Sequence, residues 1–440
     1  KPDGVIFSTG GQIAQNMAEK LANYGVPLLG TDVKSIDMCE DRAKFSALCD
    51  TLGIDQPKWS SFDTHADAKK FAEEVGYPVL VRPSFVLSGA AMAVATDKDM
   101  LEDYLNTAVG TTDSSVVISK FEENAKEIEF DGVAQNGEII VSAIGEHVEN
   151  AGVHSGDATI VIPVQNVYME TVRRVRKIAK KLARELNISG PFNIQFLAKQ
   201  NEIKIIECNL RASRSFPFAS KVLEQNFIEI VTRILIGETV EPQEKNPLEI
   251  KLVGVKAAQF SFSRLKGADP NLGVEMSSTG EVGCFGQCVE EAFLKSIISV
   301  GFRIPAPKST ILVTLGKIKE KVAFLETAKS LKTLGFKFTG TEGTAKFLNE
   351  NGIECSNVWK ISTNKHPNVI DVIKERKVSL VINTANKFSH EEQTDGYKIR
   401  RAAIDSNVPL LINIQLVKLL AKALERFPTQ DDLPVFAYGE

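Results

Sequence analysis

The sequence predicts two architectures in one chain: an α+β domain from residue 39 to 303, followed by an α/β domain with a parallel sheet from 304 to 440. In the first range, strand patterns follow one another directly, as hairpins do, without regular helical crossovers. In the second range, strands and helices alternate, which is typical of a parallel sheet covered by helices on both faces. Pro305 and Pro307 stand between the two patterns and mark the boundary.

The first 38 residues form a shorter stretch of their own. A buried-strand pattern at 4–8 is followed by Gly10-Gly11-Gln12, a helical pattern at Ile13–Tyr24 and a short strand at Val26–Gly30. This order predicts a fragment of an α/β domain. Because the sequence opens directly on a buried strand, we expect the chain to be a piece of a longer protein.

Hydrophobic periodicity predicts the individual elements. In the α+β domain, strands are expected at 78–81, 91–95, 116–121, 128–134, 139–144, 192–197 and 202–208, and helices at 66–75, 99–109, 169–186 and 226–236. In the α/β domain, the expected order is strand 310–315, helix 319–334, strand 337–339, helix 344–351, strand 378–383, helix 397–406, strand 409–413 and helix 414–426.

Composition excludes several classes of protein. With 43% hydrophobic and 25% charged residues over 440 positions, the chain has ordinary globular composition and needs no disulfide or zinc to fold. The six cysteines form no CxxC pair and the five histidines no zinc pattern, which favours reduced thiols in an intracellular compartment. No apolar run has the length of a membrane span, and the basic run Arg173–Lys177 is best explained as a solvated helix face. We therefore expect neither a membrane nor a nucleic-acid partner.

The strongest chemical signal lies on a predicted hairpin. Side chains alternate along a strand, so Glu207, Asn209 and Arg211 point to one side, and Gln195 lies on the neighbouring strand. Carboxylate and carboxamide oxygens suit Mg²⁺, and an adjacent Arg stabilises charge that develops on a transferred phosphoryl group. Taken alone, such a motif is more often the solvated face of a hairpin.

Two further segments have the composition of phosphate-binding loops. In Gly152–Gly156, glycines allow the backbone to approach a ligand, and exposed N–H groups suit phosphate. The strand ending at Arg82 leads into a Ser/Gly loop at 84–90, as a phosphate-covering loop requires. Lys120 and Glu127 stand at strand ends, where they can flank an adenine or a ribose. Each feature alone has a plainer explanation, either a surface turn or ordinary strand-end charge.

The α/β domain carries polar residues where its strands end. Thr341 and Thr344 lie in a Thr/Gly-rich link between a strand and a helix, where hydroxyl and N–H groups favour anions. Asn383 and Asn386 follow another strand, and open α/β sheets bind ligands at such ends. Trp359 lies between the two loops. Helix capping and a buried core Trp are the plainer alternatives.

Taken together and in this order, the motifs resemble the second synthetase half of the carbamoyl-phosphate synthetase family over essentially the whole chain. The segments that carry the resemblance are Glu40–Arg42, Arg82–Ser84, Gly152–Asp157, Glu207–Ser215 and Ser278–Val282. The resemblance implies an ATP-grasp domain at 39–303. It also implies a partial pre-ATP-grasp domain at 1–38 and a methylglyoxal-synthase-like regulatory domain at 304–440.

The resemblance further implies roles for single residues. The residues that would contact ATP are Arg42, Arg82, Lys120, Glu122, Glu127, Gly152, Val153, His154, Ser155, Gln195 and Glu207. Mg²⁺ or Mn²⁺ would be held by Gln195, Glu207 and Asn209, and the catalytic residues would be Arg211, Arg82 and Glu207. The implied reaction converts carbamate and ATP into carbamoyl phosphate, for the urea and arginine or the pyrimidine pathway. The implied partner is the missing N-terminal synthetase half of the same polypeptide.

In the last domain, five residues match those that bind N-acetylglutamate in the ammonia-type animal members: Thr341, Thr344, Trp359, Asn383 and Asn386. Gly396 departs from the pattern, because those members carry Asn there. The resemblance thus implies N-acetylglutamate as an effector and the mitochondrial matrix as the location, with the cytoplasm as the alternative. It leaves open whether the nitrogen comes from ammonia or from glutamine.

Two other functions fit part of the sequence. A different ATP-grasp ligase, such as a biotin-carboxylase-type enzyme, would share the Glu-x-Asn metal pair but not the C-terminal α/β domain. A catalytically inactive ATP-binding regulatory module would be expected to have lost some of Gln195, Glu207, Asn209 and Arg211, and all four are present.

Overall fold

The computed structural model describes residues 2–83, 92–106, 115–243, 245, 250–384 and 390–436, and within these ranges the chain forms two compact units. The first unit contains the chain up to Gly254 together with Gly273–Met276. The second contains Val255–Leu272 and the chain from Ser277 onwards. The domain limits predicted at 38/39 and 303/304 describe family domains, whereas the two units are defined by compactness. Those limits therefore stay predictions.

The first unit contains both helices and strands. In chain order they are β1 (Val5–Ile6), α1 (Gly11–Gln15), α2 (Ala18–Asn23), β2 (Leu28–Leu29), α3 (Val33–Glu40), α4 (Arg42–Thr51), β3 (Trp59–Phe62), α5 (His65–Val75), β4 (Val79–Pro83), β5 (Ala93–Ala95), α6 (Lys98–Tyr104), β6 (Val116–Lys120), β7 (Lys126–Gln135), β8 (Glu138–Asn150), β9 (Ile160–Ile162), α7 (Met169–Glu185), β10 (Gly190–Lys199), β11 (Glu202–Asn209), α8 (Phe216–Val222) and α9 (Phe227–Leu235).

Two antiparallel arrangements position the residues of interest in this unit. The strands β3, β6, β4 and β5 lie in the order β3-β6-β4-β5, and the longer strands lie in the order β11-β10-β7-β8-β9. Four antiparallel pairs join strands that are consecutive in the chain, as the sequence predicts: β4–β5, β7–β8, β8–β9 and β10–β11. The pairs β3–β6, β4–β6 and β7–β10 join strands that are further apart in sequence.

Helix α7 explains how the longer sheet is covered. Its buried residues Val172, Val175, Ala179 and Leu182 recur at helical spacing and belong to the core that contains Phe130 of β7. Burying each large aliphatic side chain stabilises the fold by about 1.5–3 kcal/mol. The cations of the helix lie on its other side, as expected for a solvated face.

The second unit is built mainly on a parallel sheet. Its elements are β12 (Val253–Gln259, of which the first two residues belong to the first unit), β13 (Gly280–Gly286), α10 (Val289–Ser299), β14 (Thr310–Leu315), α11 (Ile318–Thr333), β15 (Lys337–Thr341), α12 (Glu342–Glu350), β16 (Cys355–Val358), α13 (Val369–Lys374), β17 (Leu380–Thr384), α14 (His390–Asp405), β18 (Leu410–Leu411) and α15 (Ile414–Arg426). Strands in the order β16-β15-β14-β17-β18 all pair in parallel, which confirms the predicted α/β architecture. Across the described residues, no helix combines the length and apolarity needed to cross a membrane.

Several element limits differ from the prediction. The single helix predicted at 13–24 is wrong, because it is interrupted where the N–H of Met17 bonds to the carbonyl of Ala14, three residues back. Helix α12 begins at Glu342, two residues before the predicted start at Thr344. Helix α14 begins at His390, seven residues before the predicted start at Tyr397.

Candidate active site

A cavity of about 230 Å³ lies in the first unit and gathers residues from distant parts of the sequence. Its walls include all thirteen residues proposed from the sequence for nucleotide, metal and catalysis: Arg42, Arg82, Lys120, Glu122, Glu127, Gly152, Val153, His154, Ser155, Gln195, Glu207, Asn209 and Arg211. The Ser/Gly loop at 84–90 lies outside the described residues. The fold brings these side chains together around one cavity. Their individual roles stay predictions.

The hairpin of β10 and β11 brings the metal-type ligands together. Gln195 is the register partner of Glu207, and Asn193 is the partner of Asn209. The register shifts after Gln195, where Ile206 is the extra residue of a β-bulge. As a result Ile206 and Glu207 both face the cavity, which strict alternation does not predict.

The contacts of this set suit a hard divalent cation. Asn209 donates from Nδ2 to Oε1 of Glu207 at 2.9 Å, and Gln195 donates from Nε2 to Oγ of Ser155 at 3.0 Å. Both amide nitrogens are thereby turned toward protein, and the oxygen of Asn209 accepts a weak bond from Nη2 of Arg211 at 3.3 Å, which a cation at that oxygen would displace. Among the described residues, no three His, Cys, Asp or Glu side chains form a metal cluster. A cation bound at Glu207 would take its remaining ligands from amides, water and phosphate, as Mg²⁺ commonly does.

Two guanidinium groups face the same space. Burial lowers the pKa of Arg82 well below its usual value, and the like charge of Arg42 adds to this effect. Burial likewise lowers the pKa of Arg42. Among the described residues, Nε of Arg82 has no hydrogen-bond partner. Nη2 of Arg82 donates a weak hydrogen bond to Oγ of Ser119 at 3.5 Å. A buried guanidinium with an unsatisfied N–H, beside a second guanidinium, favours binding of a polyanion such as a triphosphate.

The loop at 152–156 is held in a backbone shape that needs glycine. Gly152 has φ of +113°, and a Cβ there would lie 3.0 Å from the ring of Phe121. The N–H of His154 donates to the carbonyl of Gly273 at 2.8 Å, and the N–H of Gly156 donates to Nδ1 of His154 at 3.0 Å. These contacts fix the loop at the cavity wall.

Lys120 and Glu122 line the cavity but are also held by protein groups. Lys120 donates from Nζ to the carbonyls of Gly76 and Tyr77 at 2.7 and 3.0 Å. Glu122 forms an ion pair with Lys204 of β11. Their side chains are thus positioned before any ligand binds, which reduces the entropy lost on binding.

Behind the cavity lies a buried chain of acids. Burial raises the pKa of Glu127 to about 7, although the nearby His147 opposes that shift. Nε2 of His147 lies 3.0 Å from Oε1 of Glu129, and Oγ of Ser215 lies 3.0 Å from Oε2 of Glu129 and 2.8 Å from Oδ2 of Asp131. Burial also raises the pKa of Asp131, to about 6. The sequence analysis did not find this chain beyond Glu127, because its members are spread over three elements.

Gln12 and Glu40 are cavity residues that the sequence analysis missed. Nε of Arg211 donates to Oε1 of Gln12 at 2.9 Å, and Nε2 of Gln12 donates to Oε2 of Glu40 at 2.6 Å. Burial raises the pKa of Glu40. The available signals were the Gly-Gly-Gln sequence at 10–12, which was assigned to a separate fragment, and Glu40, which was noted only within the family resemblance of Glu40–Arg42. The structure instead makes that segment part of the site.

Apolar side chains complete the cavity. They are Leu80, Met92, Phe121, Leu197, Ile206 and Val274. Polar and apolar side chains thus share the cavity wall. Such a wall suits a ligand that combines charged groups with a flat ring, such as a nucleotide.

The five proposed effector residues lie in the second unit, apart from Asn386, which is outside the described residues. Thr341 is the N-cap of α12, and Oγ1 of Thr344 accepts from the N–H of Leu315 at 3.2 Å. Nζ of Lys365 lies 4.3 Å above the ring of Trp359. Asn383 is buried and donates from Nδ2 to Oγ1 of Thr314 at 2.7 Å. Thr341 and Asn383 both lie at carboxyl ends of parallel strands, as the sequence predicts.

Two family profiles match the chain. Residues 41–243 match the profile described as carbamoyl-phosphate synthase L chain, ATP binding domain, and residues 323–412 match the MGS-like domain.

Similar sequences occur in longer proteins. The chain is 52% identical over 427 residues to the multifunctional protein pyr1-3 of Dictyostelium discoideum, which covers 96% of this chain and 19% of that protein. It is 48% identical over 438 residues to the multifunctional protein URA2 of Saccharomyces cerevisiae, covering 97% of this chain and 20% of that protein. It is 43% identical over 451 residues to the rat carbamoyl-phosphate synthase [ammonia], mitochondrial, covering 100% of this chain and 30% of that enzyme. The chain thus spans between a fifth and a third of these relatives.

Solved structures support the fold of the first part. The biotin carboxylase domain of the Hydrogenobacter thermophilus 2-oxoglutarate carboxylase matches with a TM-score of 0.54 at 18% identity, over 64% of this chain and 69% of that one. The N5-carboxyaminoimidazole synthase of Aspergillus clavatus matches with a TM-score of 0.51 at 14% identity, over 65% of this chain and 79% of that one. The predicted ATP-grasp fold followed by an MGS-like domain is confirmed.

Proposed function

The chain belongs to the carbamoyl-phosphate synthase L-chain family, and on that premise we propose that it phosphorylates carbamate with ATP, giving carbamoyl phosphate and ADP. In this step an oxygen of carbamate forms a bond to the γ-phosphorus, and the bond from that phosphorus to the bridging oxygen of ADP breaks. The proposal covers one half-reaction, because the chain is a minor part of its relatives' length.

The observation that carries the proposal is the cavity itself. It places the guanidinium of Arg82, whose Nε has no hydrogen-bond partner among the described residues, in the same cavity as Arg42, the carboxylate of Glu207 and amides that suit Mg²⁺. Phosphoryl transfer requires mainly positioning and charge stabilisation, and these groups supply both.

Each residue has a distinct part in this proposal. Arg42 and Arg82 bind phosphate oxygens, and the loop at 152–156 presents N–H groups to them. Gln195, Glu207 and Asn209 hold Mg²⁺ or Mn²⁺, which when bound neutralises phosphate charge. Arg211, oriented by Gln12, stabilises charge on the phosphoryl group in transit.

Around the base and ribose, Lys120, Glu122 and Glu127 serve as polar contacts, and the apolar wall packs against the adenine. The pre-formed contacts of Lys120 and Glu122 support this assignment. His154 and Ser155 extend the phosphate-binding loop, and the bond from Gln195 to Ser155 links that loop to the metal ligands.

For the second unit we propose binding of a small anionic effector by Thr341, Thr344, Trp359, Asn383 and Asn386, with N-acetylglutamate as the first candidate. Titration of the chain with N-acetylglutamate and separately with UMP discriminates the candidates. Binding of UMP without binding of N-acetylglutamate would contradict the choice of effector. A mitochondrial location and the ammonia-dependent urea pathway are supported by the 43% identity to the rat enzyme, and the multifunctional relatives support the glutamine-dependent pyrimidine pathway as the alternative. Cell fractionation decides the location.

The reaction is tested in the reverse direction. The chain is mixed with Mg-ADP and carbamoyl phosphate, and the ATP formed is measured beside Glu207→Gln. Glu202→Gln is the matched control, because Glu202 lies on the same strand and is exposed. We expect ATP from the wild type and the control and little from Glu207→Gln. Equal rates in all three would contradict the proposed site.

A further inference from the structure

A short chain of hydrogen bonds joins Arg211 to the first 40 residues. Nε of Arg211 donates to Oε1 of Gln12 at 2.9 Å, and Nε2 of Gln12 donates to Oε2 of Glu40 at 2.6 Å. Nε2 of Gln15 donates to the other oxygen, Oε1, of Glu40. The match to the ATP-binding profile begins at residue 41, so the cavity takes Gln12 and Glu40 from outside the matched stretch.

The amide of Gln12 has one orientation that satisfies both of its neighbours. A guanidinium can only donate hydrogen bonds, and an ionised carboxylate can only accept them. The oxygen of Gln12 must therefore face Arg211, and its nitrogen must face Glu40, as observed. The same nitrogen also donates to Oδ1 of Asn16 at 3.0 Å. Glu40 thus decides which end of the Gln12 amide reaches the arginine.

Glu40 is itself held on both of its oxygens. Oε2 accepts from Gln12, and Oε1 accepts from Gln15, whose side chain is 1% exposed. Burial raises the pKa of Glu40, whereas the charge of Arg211 and the bond from Gln12 oppose that shift and favour the carboxylate. The carboxylate is thereby fixed in place, and it fixes Gln12 in turn.

The bond at Nε leaves the outer nitrogens of Arg211 weakly held. Nη2 donates to Oδ1 of Asn209 at 3.3 Å and Nη1 to the carbonyl of Ala212 at 3.4 Å, and both bonds are longer than the one at Nε. Phosphate or carbamate oxygens can replace these two weak bonds while Nε stays bonded to Gln12. The N–H of Ala212 donates to the carbonyl of Ser8 at 2.8 Å, so the backbone beside Arg211 is also held by the first 40 residues.

We propose that Glu40 is a positioning residue for phosphoryl transfer, which acts through Gln12 to fix the orientation of the Arg211 guanidinium. The inference deepens the proposed function and rests on it, because it names the residues that orient the arginine of that reaction. Donors stabilise a transition state best when they are already in place, so an arginine that is free to turn stabilises it less.

The first test exchanges the two partners. Glu40→Gln keeps the size of the side chain but offers Gln12 both a donor and an acceptor, so the Gln12 amide loses its single orientation. The double variant Gln12→Glu/Glu40→Gln restores a single orientation, because the carboxylate introduced at position 12 accepts from Arg211 and from the amide introduced at position 40. Glu19→Gln is the matched control, since Glu19 is an exposed Glu in the same part of the chain.

The readouts are the rate of ATP formation from Mg-ADP and carbamoyl phosphate and the dissociation constant of Mg-ADP. We expect Glu40→Gln to lower kcat about 10- to 100-fold and to leave the dissociation constant within about twofold, because Arg211 acts on the group in transit. The double variant should return to within about threefold of the wild-type kcat, and Glu19→Gln should match the wild type.

Three kinetic outcomes would overturn the proposal. The first is an unchanged kcat in Glu40→Gln. The second is a loss in Glu40→Gln that the double variant does not recover. The third is a weakening of Mg-ADP binding as large as the loss of kcat, which would indicate general damage to the cavity.

The second test needs no turnover. In the ligand-free chain, the Nε–H signal of Arg211 is assigned by its absence in Arg211→Lys, and its exchange with water is measured by NMR. We expect exchange about tenfold faster in Glu40→Gln, because the acceptor on Gln12 is no longer fixed, and wild-type exchange in the double variant and in Glu19→Gln. Equal exchange in Glu40→Gln and the wild type would overturn the proposal. Failure of the wild type to form ATP contradicts the proposed function alone, because this exchange is read without substrate.

Discussion

Buried polar groups differ in their hydrogen bonding between the cavity of the first unit and a cluster in the second. This strand-end cluster consists of Thr314, Asn383, Arg400 and Asp269. In the cavity, Arg82 keeps an Nε without a partner among the described residues, and Glu127 has a pKa raised by burial to about 7. In the cluster, Asn383 is bonded to both Thr314 and Arg400, and Arg400 is also bonded to Asp269. The cavity therefore has polar groups that a ligand can satisfy. The polar groups named in the cluster already bond to one another, so a change there exchanges one hydrogen-bond partner for another.

The largest expected effect separates function from stability in the cavity. Replacing Arg82 by Met removes a phosphate-binding cation, so we expect ATP formation from Mg-ADP and carbamoyl phosphate to fall about 10²- to 10³-fold. The same change relieves an unpaired buried charge, so the free energy of unfolding should not fall. Kinetics and urea unfolding of the same sample measure both. A destabilised Arg82→Met with normal activity would contradict the contrast drawn here.

The next effect concerns pH. The pKa of Glu127 is raised from 4.5 to about 7, so the folded state holds a proton that the unfolded state has lost between these values. Stability is therefore fully present below about pH 4.5 and is lost as the pH rises through about 7, by about 3 kcal/mol for this group. Glu127→Gln should flatten that dependence, whereas Glu202→Gln should not. Urea unfolding at pH 5–8 measures it, with Trp59 as the only fluorescent Trp in a Trp359→Phe background.

A smaller effect is expected in the cluster. Asn383→Ala removes the bonds to Thr314 and Arg400, which keep their bonds to Ile382 and Asp269, so we expect a loss of about 1–3 kcal/mol for the two lost bonds. Trp359 reports on this unit in a Trp59→Phe background. Asn357→Ala, on an exposed position of β16, is the control and should change little. An equal loss of unfolding free energy in both variants would contradict the difference expected between the hydrogen-bonded cluster and an exposed position.

The smallest effect is expected for an ion pair on the surface. Lys44 and Asp37 form an ion pair of 2.6 Å, but both side chains are about half exposed. Water screens such pairs, so Asp37→Asn should leave the urea midpoint unchanged within error. A clear shift would mean that surface charge weighs more in this chain than burial does.

Alternation was sufficient to group Glu207, Asn209 and Arg211, because they stand at every second position at the end of β11 and just after it, and Gln195 is the register partner of Glu207. They were insufficient for Ile206, which faces the same cavity only because a β-bulge interrupts the alternation. Gln12 was out of reach for a different reason: its contact with Arg211 joins positions 199 residues apart. The start of α14 was predicted seven residues too late, because the stretch 390–396 is polar and shows no apolar periodicity.

The return of Gly273–Met276 to the first unit has a consequence for how this chain is inherited and made. A product ending at Gly254 lacks Val274 and with it part of the cavity wall, whereas a product ending at Met276 keeps it. During synthesis, residues 255–272, which belong to the second unit, therefore leave the ribosome before the first unit is complete. A chimaera of two relatives joined after residue 276 keeps the cavity wall from one parent but gives the helix α14 of the other parent a foreign Asp269, whereas a join just after Gly254 keeps Asp269 with α14 and takes Val274 from the other parent.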